Sequence, residues 1–272
     1  MIMRIKANGI QINCELSGKE DAPVVVLSHS LGSGMAMWNP QLEALEPYYR
    51  VLRYDMRGHG ESDATEGAYT LEQLAADVID LLDVLEINAV HLVGLSIGGM
   101  IGQCLGLNYA DRLKSLVLCD TAPVIPKEAR PMFEERKKTA REKGMSALVD
   151  GTLERWFTLQ YLNANPPAVD LIRKQFLATP VAGFIGCSEA ILGLNYLDRL
   201  SEIKLPSLVI VGEDDPATPV AGSEAIHARI PNSELEVLPF AAHLSNIEQA
   251  ETFNSCLLRF LKKQQDMGTL NK

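Results

Sequence analysis

Apolar residues along this chain follow two alternating rhythms. Short runs with little polar interruption, "PVVVLSH" (23–29), "YRVLRYD" (49–55), "AVHLVGLS" (89–96), "KSLVLCD" (114–120) and "PSLVIVG" (206–212), predict strands. Such runs suit strands covered on both faces, because a strand with one wet face alternates apolar with polar side chains. Helical patterns lie between most of them. Leu71, Leu74, Ala75, Val78, Leu81, Leu82 and Leu85 share one helical face, and Thr70 with Gln73 reads as a capping box at its start. Phe253, Cys256, Leu257, Phe260 and Leu261 form the stripe of a last helix, with Ser245 and Glu248 as its capping pair. A further strand, "ELEVL", precedes that helix. At the other end, Asn8-Gly9 between "MRIKA" and "IQINCEL" predicts an antiparallel hairpin. Strands alternating with helices predict an α/β fold on a mostly parallel sheet.

The alternation fails between Pro123 and Lys204. This stretch is helix-like, carries Trp156 and the charged run "EARPMFEERKKTAREKG" (128–144), and is too long for a loop. It reads as a helical cap (123–204) inserted into a core made of 1–122 and 205–272; plain connecting helices are the other reading. With 272 residues, 47% hydrophobic and 22% charged, the composition is that of a globular protein. A net charge of −10 argues against a nucleic-acid partner. The chain start has no signal-peptide pattern, and no run reaches the ~18 apolar residues of a membrane span, so a cytoplasmic protein without a membrane partner is expected. Cys14, Cys104, Cys119, Cys187 and Cys256 are odd in number and scattered, which predicts reduced thiols and neither disulfides nor a zinc site. No H-E-x-x-H or clustered Cys/His spacing suggests a metal, and no cofactor is expected. Monomer and dimer both remain open.

Candidate chemistry begins at "GLSIG" (94–98), between a predicted strand and a predicted helix. That context predicts a nucleophile elbow, a sharp turn that lifts the Ser96 hydroxyl clear of the backbone. The serine needs a base. Among the five histidines, His91 falls in a strand, His227 in a helical run, and His59 among the turn glycines of "RGHGES". His29 ends a strand and is better suited to shaping its loop. His243, after the last strand and before the last helix, stands where a base is needed. With the chain order serine, acid, histidine, the acid must come from Glu213, Asp214 or Asp215 in "GEDDPATP". Adjacent side chains point apart, so Asp214 and Asp215 cannot share the role. Pro216 restricts Asp215, and Thr218 before Pro219 reads as a helix cap.

Through "SHSLGSGMAMWNPQLEAL", "RVLRYDMRGHGES", "GLSIGGMIGQ", "ERWFT", "GEDDPATP" and "AHLSNIE", the chain resembles the α/β-hydrolase superfamily over essentially its whole length. Within it, the chain is most similar to the 3-oxoadipate enol-lactonases of aromatic-compound catabolism. The elbow and the D-x-x-T-P stretch are common across the superfamily; "SLG…MW…Q", "RWFT" and "HLSNIE" are more telling. Many relatives have His-Gly after the third strand, whereas His29-Ser30-Leu31 here matches the enol-lactonases. The resemblance implies an eight-stranded, mostly parallel sheet flanked by helices, with an inserted helical cap. It puts the acid on Asp215, giving a triad of Ser96, Asp215 and His243, and an oxyanion hole from the backbone N–H groups of Leu31 and Ile97. The implied substrate is a small anionic lactone or ester, opened through an acyl-enzyme. Trp38 either lines the pocket or packs in the core. Arg130, Arg136, Arg155 and Arg173 are candidates for the substrate's negative charge, with Arg155 beside Trp156 favoured. Carboxylesterases of other substrate range, and ligand sensors that keep a hydrolase shell, stay as alternatives.

Overall fold

Asn8 and Gly9 both take positive φ, 44° and 80°, as a two-residue hairpin turn of primed type requires. They join strand β1 (Ile2–Ala7) to β2 (Ile10–Gly18) with Ala7 opposite Ile10. The computed structural model describes residues 2–270, with side chains described for 2–266. Six more strands follow: β3 (Val24–Ser28), β4 (Arg50–Tyr54), β5 (Val90–Leu95), β6 (Leu113–Cys119), β7 (Ser207–Gly212) and β8 (Ser233–Leu238). The eight form one sheet in the order β1-β2-β4-β3-β5-β6-β7-β8. β1–β2 and β2–β4 are antiparallel, and all later pairings are parallel. Every residue of β5 and of β7 is buried, as continuous apolar runs demand, whereas edge strand β8 is mostly half-exposed.

Helices α1 (Asn39–Leu45), α2 (Leu71–Val84) and α3 (Ile97–Asn108) lie among the first strands. α2 packs on α3, which covers β5 and β6. The α2 stripe buries Leu71, Leu74, Leu81 and Leu82 to 3% exposure or less, worth about 2 kcal/mol per leucine. That outweighs its cap, where the Thr70 hydroxyl accepts from Gln73 N at 3.1 Å and only this half of the capping box forms. Between β6 and β7 come α4 (Arg130–Lys143), α5 (Val149–Trp156), α6 (Leu159–Ala164), α7 (Pro167–Ala178) and α8 (Val181–Leu192). The ends of this stretch are tied together: Val124 bridges Asn195, and Tyr196 N donates to Pro123 O at 2.9 Å. Last come α9 (Val220–Arg229), α10 (Ser245–Glu248) and α11 (Ala250–Leu270), the last packed on α1.

Two predicted caps do not form. Ser245 opens the separate helix α10, and its hydroxyl donates to Asp120 at 2.5 Å. Glu248 accepts from Ala242 N and from Thr158 instead of closing a local box. Likewise α9 starts only after Pro219, and the Thr218 hydroxyl goes to Asp215 at 2.6 Å. Ser245 and Glu248 follow distant partners, Asp120 and Thr158, whereas the Thr218 hydroxyl follows a carboxylate only three residues before it. All five cysteines are free and buried. No single described helix is long and apolar enough to cross a membrane; α7 and α8 pass that test only jointly, and they are bent by 96°.

The connection after β3 leads to its neighbour β4 on one side, and that after β5 leads to β6 on the other. Loops that diverge in this way leave a crevice beyond the strand ends, where ligands bind in open α/β sheets. The crevice receives the loops that begin at His29 and Ser96.

Candidate active site

Ser96 sits at φ 59°, ψ −119° between β5 and α3. A non-glycine residue there stores about 1–3 kcal/mol of strain, which the surroundings must hold. They do so from β6: Ser96 N donates to Cys119 O at 2.9 Å, and Thr121 Oγ1 donates to Ser96 O at 2.8 Å. Both flanking glycines are required by contact. A Cβ on Gly94 would stand 2.2 Å from Gly98 O, and one on Gly98 would stand 2.2 Å from Ser28 O. The strand-turn-helix is therefore compact enough to push the serine hydroxyl outward.

His243 lies in the loop between β8 and α10, and Asp215 in the loop after β7. The structure joins them: His243 Nδ1 and Asp215 Oδ2 are 2.8 Å apart, both side chains buried. The other Asp215 oxygen accepts from Ala217 N at 2.7 Å and Thr218 N at 3.0 Å. Burial alone raises the Asp215 carboxyl, but the His243 charge and the bonds from His243 and Thr218 outweigh it and hold the group below the usual carboxylate range. Asp215 as an acceptor at Nδ1 leaves Nε2 as the ring's basic nitrogen. Ser96 and His243 line one cavity, although no direct hydrogen bond joins them; such contacts commonly tighten with substrate bound. Asp214, by contrast, is exposed, and among the described residues its one hydrogen bond is from its backbone N–H to Ala241 O.

The loop after β3 is fixed by two buried imidazoles. His29 Nε2 accepts from Met56 N at 3.0 Å, and its Nδ1 pairs with Ser30 O at 2.8 Å. His59 Nε2 accepts from Gly32 N at 2.8 Å. These bonds brace the backbone on either side of Leu31, which lines the cavity; Ile97 does not line it, and its amide opens α3. Of the two readings of Trp38, the structure has core packing: it is fully buried against Phe253 and is absent from the cavity wall. Burial, then the neighbouring His29, drives His59 from 6.5 down to about 3. The unfolded chain takes up this proton near pH 6.5 while the folded one refuses it, so the His59 contribution to stability is lost as the pH falls below 6.5. Relative to His59→Gln, the wild type is expected to lose about 2 kcal/mol of unfolding free energy between pH 6.5 and 5. Denaturant titrations of both proteins read this difference, and a constant gap across that range would refute it.

The cavity, about 510 Å³, is walled by Arg136, Arg155 and Trp156, from the helices between β6 and β7, among apolar residues such as Val124, Met132 and Phe133. The Trp156 ring stacks over His243 with centroids 6.4 Å apart. Arg155 offers Nη1 to Met132 Sδ at 3.2 Å, and its buried Nε has no partner. Arg136 donates to Thr152 Oγ1 at 3.0 Å and lies over the Phe184 ring. Among the described residues neither guanidinium meets a carboxylate. Burial lowers both, Arg136 to about 10 with the Arg155 charge adding to the effect. Arg130, bonded to Leu192 O, and Arg173, paired with Asp150, lie outside the cavity.

One residue near the site escaped sequence reasoning. Asp120, at the end of β6, is fully buried at φ 43°, accepts from Gly212 N at 2.8 Å and binds the Ser245 hydroxyl. Burial, then the Asp215 charge, raises its carboxyl well above the ordinary range, which leaves Asp215 as the ionised member of the two. A carboxylate ending a buried strand was the available signal; its partners, 92 and 125 residues away, were not.

Residues 23–250 match the alpha/beta hydrolase fold family. Two proteins of Acinetobacter baylyi described as 3-oxoadipate enol-lactonases are similar over nearly the whole chain. The first is 34% identical over 95% of this chain and 96% of its own length. The second is 35% identical over 97% of this chain and 98% of its own length. Among solved structures, the enol-lactonase from Burkholderia xenovorans superposes with a TM-score of 0.93 at 38% identity, covering 96% of this chain and all of that one. With the sheet, the elbow and the histidine-aspartate pair in place, the chain belongs to the α/β-hydrolase fold family.

Proposed function

We propose that this protein is a serine hydrolase that opens a γ-enol-lactone bearing an acetate arm, giving 3-oxoadipate. The observation that carries the reading is the convergence of Ser96, on its strained turn, and the Asp215–His243 pair on one cavity. Ser96 attacks the lactone carbonyl while His243 Nε2 takes its proton. Asp215 holds the imidazole with Nδ1 protonated and stabilises the cation that forms. The N–H groups of Leu31 and Ile97 receive the oxyanion, an effect worth about 3–4 kcal/mol per donor. The ring opens with the enolate as leaving group, and a water activated by His243 then frees the acid from Ser96.

The similarity to enol-lactonases supports the substrate, and so do the two half-buried guanidiniums, Arg136 and Arg155, that lack carboxylate partners. A protein of net charge −10 gains from such a local positive site when its substrate is an anion. On this reading the insert of 123–204 is a cap that carries the recognition surface, over a core of 1–122 and 205–272.

Loss of enol-lactone absorbance on adding the protein, with weaker turnover of neutral esters, is the expected result. Arg155→Met is expected to raise KM for the anionic lactone about 10-fold to 100-fold, the scale of a lost hydrogen bond to a charged group. The same variant leaves neutral esters nearly unaffected. The mostly apolar wall favours the second reading, an esterase of other range; faster turnover of neutral esters than of the lactone, with no effect of Arg155→Met on either, would establish it.

A further inference from the structure

The backbone on both sides of His243 is tied to the insert, directly on one side and through Glu248 on the other. Leu244 N, just after it, donates to Trp156 O at 3.0 Å. Ala242 N, just before it, donates to Glu248 Oε2 at 3.0 Å. The other oxygen of the same carboxylate accepts from Thr158 N at 3.0 Å and from the Thr158 hydroxyl. Residues 156–158, the end of α5 and the turn after it, thus form one jaw, with Glu248 linking the second contact. The stretch also presents Trp156 to the cavity, next to Arg155, and stacks it over His243. A carboxylate that bridges two backbone amides and a hydroxyl is a strong, directional tie. Its position is unlike that of a helix cap, since its partners lie 6 and 90 residues away.

We propose that Glu248 is a positioning residue for His243: it locks the loop of the base to the insert, so the ring is correctly placed only when 156–158 is seated. The inference rests on His243 being the general base of the proposed reaction. Nothing in it depends on which acyl compound is hydrolysed. Anything that binds against Trp156 presses on the stretch that Leu244 N holds at Trp156 and the Glu248 carboxylate holds at Thr158. Seating of the ligand and alignment of the base are then a single event.

The test uses the full chain and three variants, Glu248→Ala, Thr158→Val and Thr158→Ser, on a small neutral ester that does not reach the arginines. Displacing a catalytic group by about 1 Å costs about 100-fold. Glu248→Ala is therefore expected to lower kcat per folded molecule by up to about that factor with KM little changed. Thr158→Val, which deletes the hydroxyl at constant shape, is expected to move kcat in the same direction, and Thr158→Ser to restore it. The rate at which an organophosphonate labels Ser96 should fall in parallel, because that step also needs His243. Wild-type kcat and labelling rates in folded Glu248→Ala and Thr158→Val, with only a lower melting temperature, would make the tie purely structural and overturn the proposal. If the wild type itself is neither labelled at Ser96 nor active on any ester, the serine-hydrolase reading fails and the coupling fails with it. Labelling of the wild type with unchanged labelling of both variants condemns the coupling alone.

Discussion

Ser96→Ala is expected to abolish turnover, lowering kcat by about 10⁶-fold, the scale seen when a serine nucleophile is removed. The fold should survive because the hydroxyl contributes little to it. Among the described residues Oγ makes no hydrogen bond, while the backbone of the turn is held independently by Cys119 O and Thr121 Oγ1. Alanine fits the same close-packed turn, since the two glycines, and not the serine, are what the approach of β5, α3 and Ser28 requires. The change in stability is therefore expected to stay within about 1 kcal/mol. Activity and far-ultraviolet circular dichroism measured on one preparation decide the matter. A folded Ser96→Ala that still turns over the lactone at more than trace rate would remove the mechanism altogether.

What the sequence made legible was local or periodic. Continuous apolar runs marked the buried strands, Asn8-Gly9 marked the hairpin, and glycines around Ser96 marked the elbow, because each depends on neighbours in the chain. Side chains whose partners lie far along the chain were read less well. Ser245 and Glu248 match a capping box by spacing, yet each found a partner more than 80 residues away, Asp120 and Thr158. The Thr218 hydroxyl had two short-range choices, a helix end and a carboxylate, and the buried charge of Asp215 was the stronger acceptor. Trp38 sits in the loop that borders the site but turns towards Phe253 on α11, and no pattern within that loop specifies this choice. Arg136 resembled three other insert arginines until the packing of α4 turned it into the cavity beside Arg155. Periodicity tells which face of an element is buried; it does not tell what that face meets.

Asp215→Asn should keep the fold and lower kcat by about 10⁴-fold, as the corresponding change does in a serine protease. The hydrogen bonds around Asp215 dictate this outcome. Its Oδ1 accepts two backbone donors, from Ala217 and Thr218, and these amides cannot turn away. The asparagine must therefore keep its carbonyl oxygen on that side and present its NH2 to His243 Nδ1 and the Thr218 hydroxyl. Faced by a donor, Nδ1 becomes an acceptor, and the ring proton moves to Nε2. The nitrogen that should take the proton of Ser96 then already carries one. Thr218 compounds the effect, since its hydroxyl loses the acceptor it now has at 2.6 Å. Asp214→Asn meets none of this: its carboxylate points to solvent, and its only bond in the loop is made by the backbone N–H. A change of a few-fold at most is expected there, the scale of an exposed charge screened by water and salt. Both variants assayed on one lactone give the contrast directly. If Asp214→Asn costs more than Asp215→Asn, the 2.8 Å contact between Asp215 and His243 is only structural, and the acid of the triad has to be sought elsewhere.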